Sequence, residues 1–296
     1  MDNKMLRPGK KLFILLLGPG VLWYVFSVIL PLLGSLRYSL YSFKGMRIDK
    51  FVGLANYKEL IADPVFWNSF KNNMLITILC IFGQIGIALI FASLLNTRFV
   101  RFKNFHRGVM FFPAVLSTVI VGFIWTMLYN NDYGLINFAL RAMKLDFLIL
   151  PWLDDPKYVV TFLSIPIMWQ YIGYYMIIIL AGMSSIDKSV FEMAEIDGVN
   201  GWTKLTKITI PLIKNTLMVC LILCISGNMQ AFEHIYVMTG GGPGTSSSVM
   251  AMYAYSKSFT QGRIDYGNTI SVGILVLSLA LIMIIKKATG RSKNEQ

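Results

Sequence analysis

Six long apolar runs dominate the chain. They fall near residues 12–33, 73–95, 109–129, 158–182, 213–236 and 267–285, with polar and charged segments between them. Each reaches the roughly 20 residues that a helix needs to cross about 30 Å of hydrocarbon. Buried helices of a soluble core do not recur six times at this length, so the pattern predicts six transmembrane helices. The first run is too long for the apolar part of a signal peptide, and no small-residue cleavage site follows it. Gly18, Pro19 and Gly20 lie inside it, where a membrane helix tolerates them. The expected fold class is all-α, a polytopic membrane protein.

Composition agrees with the pattern. Of 296 residues, 55% are hydrophobic and 14% are charged. A disordered chain lacks that apolar content, and a soluble globule carries about a quarter of its residues charged. The net charge of +12 suggests a nucleic-acid partner until the positions are read. Lys4, Arg7, Lys10 and Lys11 precede the first run, and Arg98, Arg101, Lys103 and Arg107 crowd the second connection. Lys188, Lys204, Lys207 and Lys214 mark the fourth connection, and Lys286, Lys287, Arg291 and Lys293 follow the last run. Lys and Arg concentrate on the cytoplasmic side of membrane proteins. The alternation therefore predicts two cytoplasmic termini in a multi-pass protein of the cell (plasma or inner) membrane, in contact with lipid. Nucleic acid is not an expected partner.

The runs carry little chemistry. Of 15 acidic residues only Glu233 falls at membrane depth, near the outer end of the fifth run, with His234 beside it. Proton- or ion-driven transporters need ionisable groups there. The glycine cluster from Gly240 to Gly244 lacks the lysine of a phosphate-binding loop and reads as a tight turn. Three cysteines are too few for a disulfide scaffold. Cys220 and Cys224 share a helix face and read as inert packing. His106 has no candidate ligand partners, so no metal site is expected. No nucleophile–base pair can be assembled. The chain is expected to be no enzyme and to hold no cofactor of its own; uphill transport would need a partner to supply energy.

The fourth connection, SSIDKSVFEMAEIDGVNGWTKLTKITIPLIK from Ser184 to Lys214, is the most patterned polar segment. Ser189 and Glu192 have capping-box spacing, which predicts a short helix from Val190. Phe191, Ala194 and Glu195 would share one face, and Gly198 is placed to end the helix. A second short helix is expected from Trp202, with Leu205, Ile208 and Thr209 at helical spacing. Pro211 is expected in the first turn of the fifth span. The pattern alone fits either an amphipathic pair resting on lipid headgroups or a docking element for a soluble partner.

Glu192-Met193-Ala194, then Asp197-Gly198, then nine residues to Ile208-Thr209-Ile210-Pro211 resembles the EAA motif of ABC importer permeases. There the pattern is E-A-A, three residues, G, nine residues, I-x-L-P. Met193 and Ile210 depart from it and keep an apolar side chain. Phe51-Val52-Gly53-Leu54-Ala55-Asn56-Tyr57 resembles a first-outer-loop segment of carbohydrate permeases. Tyr133-Gly134-Leu135-Ile136-Asn137 resembles their G-x-x-N turn, and Phe232 to Pro243 is similar to the F-[DE]-x-I-x-x-[LM]-T-x-G-G-P run after the fifth span. These stretches cover residue 51 to about 270. The subfamily resembled is the maltose/oligosaccharide type, first permease of the pair, without the extra N-terminal spans and large periplasmic domain of the maltose importer's larger permease.

The resemblance implies the ABC type I importer permease fold. Residues 1–72 would hold the N-terminal tail, first span and outer loop. Residues 73–285 would form the permease core, with five spans and the EAA loop at 184–214, and residues 286–296 a basic cytoplasmic tail. Glu192, Ala194, Asp197 and Gly198, with Ile208 and Pro211, would couple the chain to an ATPase cleft; Ala194 would let the helix sit closely there. ATP and magnesium would belong to two ATP-binding cassette subunits. A second permease and an extracellular solute-binding protein complete the implied assembly.

Sugars are held by amides and hydroxyls against their OH groups and by aromatic faces, within largely apolar walls. The fifth run offers Ser226, Asn228 and Gln230, with Gly227 allowing close approach. The fourth offers Trp169, Gln170, Tyr171, Tyr174 and Tyr175. The resemblance matches Asn228 to an asparagine that binds sugar in the maltose system. Asn228, Gln230, Gly227, Gln170, Tyr174 and Tyr175 are therefore the candidate substrate residues. Interhelical hydrogen bonding is the competing role for the amides, and packing or an aromatic belt for the tyrosines. Outer loops 34–72, 130–157 and 239–266 would meet the binding protein, with Phe66, Trp67 and Trp152 as contacts. The competing functions are a permease for a non-sugar solute such as glycerol phosphate, for which no basic residue lies in the path, and a stand-alone secondary transporter.

Overall fold

The computed structural model describes residues 10–97 and 100–290. Lys4, Arg7, Arg98, Arg291 and Lys293 of the charge pattern lie outside the described residues. In chain order the elements are α1 (Ile14–Tyr38), β1 (Tyr41–Lys44), β2 (Arg47–Phe51), α2 (Ala55–Ala62), α3 (Pro64–Asn96), α4 (Lys103–Val115), α5 (Thr118–Leu128) and α6 (Leu135–Ala142). There follow α7 (Val159–Ser184), α8 (Lys188–Ile196), α9 (Gly201–Leu212), α10 (Lys214–Met229), α11 (Glu233–Met238), α12 (Met250–Tyr255) and α13 (Ile264–Gly290).

The chain forms two compact units, residues 10–62 with 254–273, and residues 63–253 with 274–290. In the first, α1 continues through Pro19 and a π turn at Val25–Ile29 and is apolar and exposed along its length. The all-α expectation needs a correction here: β1 and β2 pair as an antiparallel hairpin. Gly45, at φ 61°, takes the left-handed turn conformation between them, which glycine adopts without steric cost. The Phe51–Tyr57 motif turns out to be structural. Asn56 donates its amide to the carbonyls of Ser39 (2.9 Å) and Tyr41 (3.1 Å), and Tyr57 shares a 2.6 Å hydrogen bond with Ser39. Arg263 forks onto the Glu59 carboxylate within the same unit.

In the second unit, Asp63 caps α3 by accepting from Val65 N at 2.8 Å, with Pro64 at the first helical position. That start lengthens the second run well beyond its apolar part. α7 lies at the centre of the core, with Leu163, Met176, Ile179 and Met183 almost fully enclosed. A Cβ on Gly173 would collide with the Met110 carbonyl and sit 2.7 Å from Phe111 Cα, so only glycine lets α4 approach this closely. Pro166 removes the backbone N–H that would reach Phe162, and the Tyr129 hydroxyl donates to that carbonyl at 3.1 Å. Phe66 and Trp152, expected on the outer surface, are buried; Trp152 donates to Asn137 Oδ1 at 2.8 Å. Trp67 alone of the three is exposed.

Four described helices are long and apolar enough to cross a membrane: α1, α3, α7 and the apolar part of α13. The third and fifth runs are not single rods. α4 and α5 meet at 94° across Leu116–Ser117, and α9 and α10 meet at 79°, so the count reaches six only if each bent pair is one span. At the first bend a backbone group finds an outside partner: the Leu116 carbonyl accepts from Gln170 Nε2 at 3.0 Å.

Candidate functional site

Two places in the second unit gather the polar residues singled out above. The first is a cavity of about 280 Å³ where the fifth run breaks. α10 ends at Met229, and α11 starts only at Glu233 after non-helical Gln230 and Phe232. Interrupted helices at membrane depth are tolerated where the freed backbone lines a cavity or is buried in protein. Gly227, Asn228, Gln230, Tyr174 and Tyr175 all line the space. Gln170 does not. It is buried beside the Leu116 bend, which its Nε2 holds, while its Oε1 is buried without a hydrogen-bond partner among the described residues.

The cavity wall is organised by one chain of hydrogen bonds. Asn228 Nδ2 donates to the Cys224 carbonyl at 2.8 Å and to its Sγ at 3.3 Å. The Cys224 thiol donates to Gln84 Oε1 at 3.5 Å, and Gln84 Nε2 donates to the Ile167 carbonyl at 2.9 Å. Cys224 is thus a linking group rather than plain packing. With its nitrogen committed, Asn228 keeps Oδ1 without a donor among the described residues. Tyr174 and Tyr175 meet edge to face at 5.2 Å. Gln84, Thr118 and His234 also line the cavity and were not anticipated as site residues. Gln84 could have been found, because a lone glutamine inside Cys80–Ile90 interrupts an otherwise apolar run. It sits on a π turn at Ile81–Gly86, a distortion frequent at functional sites.

The break is held from outside. Asn73, buried on α3, donates to the Asn228 carbonyl at 2.8 Å and accepts from Met250 N at 2.9 Å. Its neighbour Asn72 donates to the carbonyls of Ser246 (2.7 Å) and Ser248 (2.8 Å). The glycine cluster is the expected turn, with Gly240, Gly241 and Gly244 all at positive φ.

The second place is the knob formed by α8 and α9. Its N-cap is Asp187, not Ser189: the Asp187 carboxylate accepts from Ser189 N at 2.9 Å, which holds its pKa below the usual carboxylate range. Gly198, at φ 68°, ends the helix, and Val199 N returns to the Ala194 carbonyl at 3.0 Å. Asn200 caps α9 through Thr203 N at 2.8 Å. Lys204 joins the two helices, 3.0 Å from Glu195 and 5.0 Å above the Phe191 ring. Pro211 lies in the last turn of α9 rather than in the first turn of α10, just after a π turn at Lys204–Thr209. The wider turn fits the N–H that proline lacks, and Thr209 Oγ1 donates to the Lys204 carbonyl at 3.1 Å. Ala194, at 3% exposure, faces the chain's own interior, and Ile208 is half-buried. Facing outward are Ile196 (84% exposed), Trp202 (71%), Met193, Glu192 and Asp197.

The second unit thus combines apolar helices, a polar cavity at a helix break, and a knob carrying bare apolar side chains. The chain belongs to the family of binding-protein-dependent transport system inner membrane components, which it matches over residues 84–288. It is a multi-pass membrane protein and a permease component of such a system. It is 35% identical to a probable ABC transporter permease protein of Pyrococcus horikoshii over 93% of this chain and 94% of that one. The lactose transport system permease protein LacF of Rhizobium radiobacter is 31% identical over 94% of each chain. A crystal structure of a bacterial alginate ABC transporter, in complex with an alginate pentasaccharide-bound periplasmic protein, contains a chain with a TM-score of 0.83 and 20% identity. The likeness spans 96% of this chain and 95% of that one and is one of fold, that of an ABC importer permease.

Proposed function

We propose that this permease carries a neutral sugar or oligosaccharide inward, delivered by an extracellular binding protein and driven by ATP hydrolysis in partner subunits. The observation that carries the reading is the cavity lining: two carboxamides on α10 and its break, a glutamine, a threonine, three tyrosines, Glu233 and His234, with no lysine or arginine among them. Hydroxyl-rich neutral ligands match such walls. An anionic cargo such as glycerol phosphate calls for a cation in the path. A stand-alone secondary transporter calls for ionisable groups at the midplane, and the two in the lining, Glu233 and His234, stand near the outer end of the fifth run. A relative named for lactose transport adds support. Asn228, Gln230, Gly227, Tyr174 and Tyr175 are the sugar contacts in this reading.

The knob is the coupling element. Glu192, Asp197 and the bare Met193, Ile196 and Trp202 face an ATPase cleft, Gly198 makes the corner, and Ala194, Ile208 and Pro211 keep the helix pair in place from within. This chain contributes no catalytic residue; ATP and magnesium bind two ATP-binding cassette subunits. A second, related permease completes the pathway. Six spans, counting each bent pair as one, with both termini in the cytoplasm, fit the lysine and arginine distribution. Residues 1–72, 73–285 and 286–296 divide into leading span and outer loop, permease core and basic tail.

Reconstitution of the full complex with its binding protein tests this. Neutral oligosaccharides are expected to stimulate ATP hydrolysis and to accumulate in the vesicles, while glycerol phosphate does neither. Accumulation by this chain alone, without ATPase subunits, would overturn the reading.

A further inference from the structure

Besides Asn228 Oδ1, the cavity is lined by a second group that the fold itself does not use. His234 is the second residue of α11, only 4% exposed, and its Nε2 is buried without a hydrogen-bond partner among the described residues. An orphaned buried nitrogen is costly, and such a group in a native fold calls for a missing partner. His234 lines the same cavity as Asn228 and Gln230.

Its position is fixed from two sides. The helix break releases the chain after Gln230, and Tyr236 N then bonds the Phe232 carbonyl at 2.8 Å to start α11. The Phe232 and Tyr236 rings stack at 5.2 Å on one face of this turn, and at 100° per residue His234 points from the opposite face. α11 rests closely on α5, where a Cβ on Gly122 would come within 3.3 Å of Val237. A metal role lacks support, since no group of three His, Cys, Asp or Glu side chains gathers among the described residues.

We propose that His234 is a sugar-binding residue, its Nε2 exchanging a hydrogen bond with a hydroxyl of the transported saccharide. A ring nitrogen accepts from or donates to a hydroxyl according to its tautomer, so a neutral sugar satisfies it in either form. The inference rests on the cavity being the sugar passage.

The test uses the full complex in proteoliposomes with saturating loaded binding protein. The probe is whichever of maltose, lactose, trehalose or arabinotriose gives the fastest uptake, together with its monodeoxy derivatives. His234→Leu should slow uptake about five- to tenfold, the effect of one hydrogen bond, and His234→Gln should recover part of it. One monodeoxy sugar should be slow for the parent protein yet no slower than the intact sugar for His234→Leu. If every derivative slows both proteins by the same factor, His234 only packs or binds water and the proposal fails. Asn228→Ala separates the levels. Coupling to a deoxy position for Asn228 but not for His234 overturns this inference alone; coupling for neither overturns the cavity reading. Uptake of none of the four sugars removes the saccharide reading on which both stand.

Discussion

The knob and the cavity both interrupt helices, and they solve the problem of loose backbone groups by opposite means. In the knob every repair is local. Asp187 reaches two residues ahead and Asn200 three, and Gly198 turns the chain by its own backbone freedom. At the cavity the repairs come from other helices. Asn73 is 155 residues from Asn228 and Gln84 is 83 from Ile167. The knob faces water that would satisfy its ends in any case. The cavity sits in a stretch with no such reserve, so an unsatisfied carbonyl there is expensive. Local closure makes a self-contained lever; distant closure makes a cavity whose shape depends on three helices at once.

Substitutions can break this contrast in order of size. Gly173→Val should be the most damaging, because its side chain meets α4 backbone that cannot step aside. A loss of about 3 kcal/mol or more should appear as failure to purify a monodisperse complex. Asn73→Ala strands Met250 N and leaves the Asn228 carbonyl with only the long 3.3 Å bond from Ala231 N and the bond from the Gln230 N–H. It should cost about 2–3 kcal/mol, read as a lower thermal midpoint in nanodiscs. The local knob should be softer. Gly198→Val puts a β-branched residue at φ 68°, costing about 1–2 kcal/mol. Its sharper readout is ATP hydrolysis uncoupled from uptake with membrane insertion intact. Asp187→Ala, removing one cap, should cost about 1 kcal/mol. Lys204→Ala should cost least, below about 1 kcal/mol, because its partner Glu195 is largely exposed. If Asp187→Ala proved more harmful than Asn73→Ala, the distinction between local and distant repair would be lost.

The same contrast explains what could be read from residues alone. Apolar run length located the helices, because crossing hydrocarbon sets a length that composition reveals. The glycine corner at Gly198 was legible for a similar reason, being a property of a few neighbouring residues. The cap sits at Asp187, two residues before the Ser189 that the pattern predicts, since both are good capping residues and only the fold separates them. The bends at Leu116 and Ile213 were invisible, as an apolar run reads the same whether straight or folded. Residue type and depth place Gln170 with the cavity residues, yet it lies outside the lining and its Nε2 is committed to a carbonyl 54 residues away. His234 was overlooked because a histidine's partners, or its lack of one, are written in three dimensions only.

Asn73 has a mechanical meaning beyond stability. Its two ends grip the last turn of α10 and the first amide of α12, while Asn72 beside it holds the strand of chain leading there. A pull on residues 246–250 therefore arrives at the broken helix through a single carboxamide, with no slack between handle and latch.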